Sequence, residues 1–447
     1  MSNNYDRRDF LKLSTAALGV GALSGMGLPF ESSAQTKPIR LGFVGIGGRG
    51  AYHLDAALGI EGVEVPAICE IKPERLYNAK RWIEDSGRAT PTLYGRGPTD
   101  FERLCKEEDL DAVICSTPWD SHAAICLAAM RNDKHAVSEV PIIISVEEAW
   151  ELVETSEKTG KWAAIALEQA MLESRDGLTL LNMVRRGLFG DILFAESGYV
   201  HDLRHVKFDP EGEPWRLQYD VTHDGNLYPD HPMSKIMPYM DINHGDRLDH
   251  LVSMGTKSGM LNKYAALNYG KESDYAKIKY KQADINATLI RTVNGKLITL
   301  NYDTNTPHPR ELFHMQGTNG VFLGGTALAG PKIYLEGMSP AEHQWESADK
   351  YLTEYKSPLL KNYTPLQRKL NIRGHGGGGA TTPLTWYLLV KALREGKTPF
   401  FDVYDSVTSS IIFPLSNMSV ANRSKTIDVP DFTKGKWKTR APLTFTV

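Results

Sequence analysis

The sequence predicts an α/β protein: a doubly wound parallel sheet in the N-terminal half, followed by an α+β part with a mostly antiparallel sheet. Three observations lead there. Short apolar strands alternate with amphipathic helices from Lys37 to Leu167. A glycine-rich turn follows the first of those strands directly. Beyond Gly190 the strands lengthen and alternate, and Asn294-Gly295 marks a tight hairpin between two of them.

The first residues read as an address. Arg7-Arg8-Asp9-Phe10-Leu11-Lys12 is a twin-arginine pattern, Leu13 to Leu23 is moderately apolar, and Ser32-Ser33-Ala34 offers small residues for cleavage. Gly19, Gly21, Gly25 and Gly27 weaken the alternative, a membrane anchor. Residues 1–34 are therefore expected to be a twin-arginine signal peptide, and the mature chain to be exported to the periplasm without a stable membrane span. That route carries folded proteins, so a cofactor would be loaded before export and kept.

In the mature chain, Lys37 to Val44 reads as a strand and Ala51 to Leu58 as a helix. Val63 to Cys69 is a second strand, and Pro73 to Ser86 and Asp100 to Glu107 are helical. Asp111 to Ser116 is a third buried strand, followed by a helix from about Trp119 to Arg131. Lys134 to Ser138, the helix Val146 to Thr159 and the strand Trp162 to Leu167 complete the alternation. Further on, Ile192 to Val200, Ala287 to Val293 and Lys296 to Asp303 are strands, with a long polar insertion from His201 to Asn243. Thr381 to Glu395 and Val403 to Asn422 are helical and are expected to pack back on a sheet, while Gly376 to Gly379 is a loop.

The 447 residues, 41% of them hydrophobic, suffice for more than one domain, and a net charge of -3 leaves no basic excess to hold nucleic acid. Cys69, Cys105, Cys115 and Cys126 have no zinc-like spacing, and two of them fall on predicted strands, so disulfides are not expected.

Gly45-Ile46-Gly47-Gly48-Arg49-Gly50 sits between a strand and a helix, where Gly45, Gly47 and Gly50 permit a tight turn and close approach to a pyrophosphate. Glu70 ends the second strand, and an acidic group there accepts from ribose hydroxyls and repels a 2'-phosphate, favouring NAD over NADP. Arg49 faces the pyrophosphate or, alternatively, neutralises a phosphate. Residues 35–168 thus read as a dinucleotide-binding domain, leaving 169–447 to bind substrate. Trp119 and His122 follow the next core strand at its carboxyl end, where ligands bind; His122 lines the cofactor or is simply a first-turn polar residue.

Longer stretches carry a resemblance. They are Ser138-Glu139-Val140, residues 181–190 (LNMVRRGLFG) and 198–204 (GYVHDLR), Trp215-Arg216, Leu227-Tyr228-Pro229-Asp230-His231, residues 241–248 (DINHGDRL) and 430–438 (PDFTKGKWK). Over nearly the whole mature chain they resemble the Gfo/Idh/MocA sugar oxidoreductases, and more closely their glycosidase branch, the NAD-dependent α-N-acetylgalactosaminidases of glycoside hydrolase family 109. Ordinary dehydrogenases of that superfamily carry Glu-Lys-Pro where this chain has Glu139-Val140-Pro141; the missing lysine is similar to the glycosidase branch. Leu172, after Glu168-Gln169, stands where the branch has a substrate-contacting tyrosine, and Arg310 falls near a second one. Both departures bear on which sugar is bound.

The resemblance implies a hydrolysis in which NAD oxidises the sugar at carbon 3, the group on carbon 1 is eliminated, water adds and the ketone is reduced again. Its candidate catalytic residues are His231 and Tyr228. Imidazole as a residue type both takes and gives protons near neutral pH; the plainer readings are a surface histidine and a packing tyrosine. Arg216, His201 and Arg310 join them as candidate sugar contacts. Gln169 and Glu139 are candidate cofactor contacts, with Gly48 in the glycine turn, and Glu139 has an acid/base role as its alternative. Trp215 stacks on a sugar face or belongs to the core. His244, Asp246 and His250 do not make a convincing metal set, and none is expected. A small carbohydrate is the expected partner, with a homodimer through the open face of the second sheet as a further possibility. The competing readings are a periplasmic sugar oxidoreductase with retained cofactor and a non-catalytic sugar-binding module.

Overall fold

The computed structural model describes residues 37–165, 175–310, 312–325, 330–362 and 382–444. Its first layer begins with β1 (Ile39–Val44), α1 (Gly48–Leu58), β2 (Val63–Cys69), α2 (Pro73–Asp85), β3 (Thr92–Tyr94) and α3 (Phe101–Glu107). Then come β4 (Ala112–Cys115), a 3₁₀ turn (Trp119–Ser121), α4 (His122–Arg131), β5 (His135–Ser138), α5 (Val146–Thr159) and β6 (Ala163–Ala164). The strands pair in parallel in the order β3-β2-β1-β4-β5-β6. All four residues of β4 are buried, as a strand covered by helices on both faces requires. The order reverses between β1 and β4, and in such sheets the carboxyl ends at that reversal form the crevice where ligands bind. β3 is absent from the sequence reading because three residues at a sheet edge carry no period. Trp162–Leu167 contracts to two paired residues among those described.

Local chemistry sets the helix ends. Ser145 accepts the amide of Glu148, whose carboxylate accepts the amide of Ser145, and Gly160 ends α5 at a φ of +68°. Ala149, Leu152 and Val153 point inward from that helix.

The second part runs through α6 (Arg175–Arg185), β7 (Ile192–Val200), α7 (Arg204–Phe208), α8 (Arg216–Thr222), α9 (Asp230–Met240) and β8 (Leu248–Gly255). It continues with α10 (Met260–Tyr269), α11 (Asp274–Lys277), β9 (Asn286–Thr292), β10 (Leu297–Asp303), β11 (Leu312–Gly317), β12 (Gly320–Gly325), β13 (Lys332–Leu335) and β14 (Glu346–Ser347). The last elements are α12 (Asp349–Glu354), α13 (Pro358–Asn362), α14 (Thr382–Arg394), α15 (Val403–Ser410), α16 (Ile412–Ala421) and β15 (Ile427–Asp428). The sheet order is β14-β13-β12-β11-β7-β10-β9-β8-β15, antiparallel except for β7 with β10. Strict alternation of burial along β9 shows one face covered and the other open. The hairpin at Asn294-Gly295 forms, with Gly295 at a φ of +87°.

The polar insertion expected from His201 to Asn243 is instead three helices with a substantial interior. Leu227, Tyr228, Met233, Ile236, Met237 and Tyr239 are all buried. Its charges enter the interior because they pair: Lys207 Nζ donates to Asp220 Oδ1, Thr304 Oγ1 and Asn305 Oδ1 at 2.9, 2.9 and 2.7 Å. The C-terminal helices do return to the first layer. Trp386 of α14 stacks 6.3 Å from Phe43, and the Ser406 and Ser410 hydroxyls on α15 accept the amides of Ile165 and Ile142.

Candidate active site

The glycine turn shows which of its glycines the fold itself needs. A Cβ on Gly50 would lie 2.0 Å from the Gly45 carbonyl oxygen, and one on Gly45, already at a φ of +83°, 2.7 Å from the Ser116 oxygen. A Cβ on Gly47 would meet only the end of the Arg75 side chain, at 3.2 Å. Gly47 precedes α1 and supplies no side-chain cap, so the first-turn amides from Gly48 onward face the crevice side of the turn without one. Glu70 is buried, its Oε2 accepting the Ile46 amide at 2.7 Å and its Oε1 the Lys72 amide at 2.9 Å. The Ser116 hydroxyl is buried just past β4 with no hydrogen-bond partner among the described residues. An uncapped helix start, a buried carboxylate and an orphaned hydroxyl around one crevice fit a dinucleotide, with pyrophosphate at α1 and ribose at Glu70.

Glu139, at the end of β5, binds two groups of α1 through one oxygen: Arg49 Nε at 2.8 Å and His53 Nε2 at 2.5 Å. Burial acts against its charge, but Arg49 and His53 outweigh burial and hold its carboxyl below the usual range. His122 is buried, with Nδ1 2.7 Å from the Pro141 carbonyl and Nε2 2.7 Å from that of Thr117. As a neutral ring it donates to one of these two carbonyls, where the loops that follow β4 and β5 meet. Both ring nitrogens face loop carbonyls, which supports the plainer reading of His122 as a polar residue of the first helical turn. Burial keeps its pKa below the ordinary imidazole value.

Trp119 carries the crevice into an aromatic cluster. Its ring lies 5.1 Å from Trp215, 4.7 Å from Tyr219 and 5.5 Å from Tyr228. The Arg216 guanidinium sits 4.6 Å from the Trp215 ring, 5.1 Å from Trp119 and 5.4 Å from Tyr228, and it pairs with Glu213. Burial works against its charge, but Glu213 and the flanking tyrosines prevail and raise its pKa. Tyr199, at the end of β7, meets Tyr228 at 4.5 Å and stacks on His231 at 4.9 Å with 9° between the rings. Its hydroxyl is 3.4 Å from His201 Nδ1. The structure thus brings Trp119, His201, Arg216, Tyr228 and His231 together from four separate stretches of chain.

Two anchors hold His231 there. It is the second residue of α9, whose first residue, Asp230, accepts the Ser410 hydroxyl at 2.6 Å. Ser410 in turn accepts the amide of Ile142, just beyond Glu139. Arg310 is exposed on the turn after β10, whose end lies beside that of β7. Gln169, with Glu168 and Leu172, and His375 before the four glycines lie outside the described residues, as do residues 1–34, expected to be a signal peptide. Among the described residues no group of three or more His, Cys, Asp and Glu is placed to hold a metal, and no helix is long and apolar enough to cross a membrane. All four cysteines are free and buried.

Sequence reasoning did not single out Tyr199, Glu213 or His53. Tyr199 had a usable signal, because it lies two residues from His201 and so on the same face of a strand. Glu213 and His53 had none beyond residue type.

Comparison with known proteins supplies the family. The family described as "Oxidoreductase family, NAD-binding Rossmann fold" matches residues 39–167, and "Glycosyl hydrolase 109, C-terminal domain" matches residues 173–439. A glycosyl hydrolase family 109 protein of Solibacter usitatus is 37% identical over 446 residues, covering 98% of this chain and 99% of the relative. One of Shewanella baltica (strain OS185) is 35% identical over 464 residues, with 99% of each chain covered. Among solved structures, an oxidoreductase domain protein from Kribbella flavida superposes with a TM-score of 0.66 at 19% identity, over 88% of this chain and 100% of that one. Levoglucosan dehydrogenase in complex with NADH and levoglucosan gives 0.64 at 18%, with the same coverage; at such identities the likeness concerns the fold. The chain belongs to glycosyl hydrolase family 109 and is a glycosidase whose first sheet is an NAD-binding Rossmann fold.

Proposed function

We propose that the protein hydrolyses an α-N-acetylgalactosaminide-like glycoside through transient oxidation of the sugar at carbon 3. NAD held at the glycine turn and Glu70 would supply reversible hydride transfer at carbon 3 with no net change of its own. The ketone acidifies the proton on carbon 2; His231 removes it, the carbon 1–oxygen bond breaks, and that proton passes to the departing oxygen so that the aglycone leaves as an alcohol. Water then adds across the carbon 1–carbon 2 double bond, its hydroxyl to carbon 1 and a solvent-derived proton to carbon 2. Tyr228, against His231, holds a sugar hydroxyl and shares the proton transfer. Arg216 offers a fixed cation to sugar oxygens, and the Trp119 and Trp215 rings supply an apolar wall.

One observation carries this reading: His231 is held between Tyr199 and Tyr228 in a cluster that begins at Trp119, four residues past the strand next to the glycine turn. Val140 supports it. That side chain is buried in the core, so the Glu139-Val140-Pro141 turn offers no ammonium group of the kind a plain sugar dehydrogenase uses. Glu70, Gly45, Gly47, Gly48, Arg49, Gly50 and Gln169 belong, in this proposal, to the cofactor's binding set. Export of the folded protein by its twin-arginine leader belongs to it too, with NAD already aboard.

Reaction in deuterium oxide tests the mechanism. Free sugar labelled at carbon 2, without net NADH, is the expected result by proton NMR. Cleavage without label at carbon 2 refutes the elimination route. A keto-sugar released without cleavage assigns the protein to the oxidoreductases instead. Leu172 and Arg310 bear on the sugar, so N-acetylated, neutral and acidic nitrophenyl glycosides belong in the panel.

A further inference from the structure

Arg49 and Glu139 are 90 residues apart in sequence and meet at 2.8 Å. Arg49 stands in the first turn of α1, which follows β1, and Glu139 follows β5. In the sheet β4 lies between those two strands, so the pair spans the end of β4, at the point where the strand order reverses. A dinucleotide in this fold lies across that point. His53, one turn further along α1, reaches the same Glu139 oxygen from the inside. The two partners of Glu139 differ in exposure: the His53 side chain is 1% exposed and that of Arg49 22%. His53 is itself backed by Trp386, 5.9 Å away on α14.

We infer that the Arg49–Glu139 pair is a latch over the bound NAD, with His53 as the positioning residue that keeps Glu139 set to receive Arg49. The inference rests on the cofactor reading given above. The inner contact is rigid and the outer one accessible, so the latch opens by release of Arg49 while Glu139 stays on His53. NAD enters and leaves only through the open form, and closure prolongs its stay. A protein exported with its cofactor depends on such a slow release.

A latch has a kinetic signature that a simple contact lacks. It adds a barrier common to entry and exit, so weakening it speeds both and leaves affinity nearly unchanged. Loss of a direct contact speeds exit alone. The test uses the full chain freed of cofactor, with NADH as the probe. Stopped-flow fluorescence gives the association rate, displacement by excess NAD+ gives the dissociation rate, and calorimetry gives the affinity. His53→Leu removes a hydrogen bond to a charged group, and both rates should rise about tenfold with the dissociation constant changed less than about threefold. His53→Gln keeps a donor and should stay near wild type. If His53→Leu fails to fold by circular dichroism, His53→Ala, which loses the same hydrogen bond without a new bulky side chain, carries the same expectation. Faster dissociation alone, or no change in either rate, overturns the latch while leaving NADH binding intact. Absence of NADH binding by the wild-type protein overturns the cofactor reading and the latch with it.

Discussion

His231 owes its place to the residue before it. Asp230 is fully buried, and its acceptance of the Ser410 hydroxyl fixes the start of α9 against α15. His231 then leaves the helix toward Tyr199 and Tyr228, whose rings define its plane. This anchoring separates position from chemistry. His231→Ala removes the imidazole and keeps the anchor, so turnover on the best glycoside should fall on the order of 10²–10⁴-fold while NAD affinity by calorimetry is unchanged. Turnover near wild type would take His231 out of the mechanism. Arg216 is built in another way: three aromatic rings and Glu213 surround its guanidinium, so little rotamer freedom remains to be lost on binding sugar.

At the scale of the element, the turn between β1 and α1 contains glycines of two kinds. Gly50 is required by packing, since its Cβ would strike the Gly45 carbonyl, whereas Gly47 has room on the protein side. Gly50→Ala should therefore destabilise the fold by about 1–3 kcal/mol, as overpacking does, and weaken NAD binding as well. Gly47→Ala should leave thermal stability nearly unaltered and still weaken NAD binding, because only the ligand approaches that backbone. Thermal denaturation with calorimetry on both variants separates the two kinds; equal loss of stability would show that the distinction is wrong. The three short helices α7, α8 and α9 present the opposite case. Low hydrophobicity made this stretch look like a surface insertion, yet Lys207, Asp220, Thr304 and Asn305 satisfy one another inside it and hold α8 under the site.

Across the whole molecule, the C-terminal tail ties back to the first layer. Glu157 of α5 accepts from Lys434, Lys436 and Tyr404. Those hydrogen bonds, led by that of Lys434, lower its carboxyl from 4.5 to about 2. A depressed carboxyl contributes stability above its unfolded value and loses it as pH falls through the folded one. The window here runs from about pH 4.5 down to about 2. Glu157→Gln should lower the melting temperature by about 1–2 °C at neutral pH, the modest scale of exposed ion pairs in a large protein. The difference from wild type should shrink through that window and vanish near pH 2. A difference that persists unchanged at pH 2 would mean that Glu157 acts through packing. Beside it, Arg440 pairs with Asp402 and Asp405 and joins the tail to the start of α15.

Much of this protein is written in local pattern. The first sheet, the glycine turn, Glu70 at the end of β2 and the β9–β10 hairpin were legible because strand period, glycine conformation and turn chemistry each act within a few residues. The fold of α5 was legible to the residue, since Ser145, Glu148 and Gly160 cap it by neighbouring hydrogen bonds. Residue type and resemblance put Tyr228, His231, Arg216, Trp119 and His201 forward as separate candidates. Tertiary structure decided that they form one cluster, that Tyr199 stands at its centre, and that both ring nitrogens of His122 face loop carbonyls. It also decided that Glu139 meets Arg49 and His53 across the crevice. The physical reason is the same in each case. These contacts join residues brought close by sheet order and helix packing, and their energies depend on burial and on partners far along the chain, which periodicity does not encode.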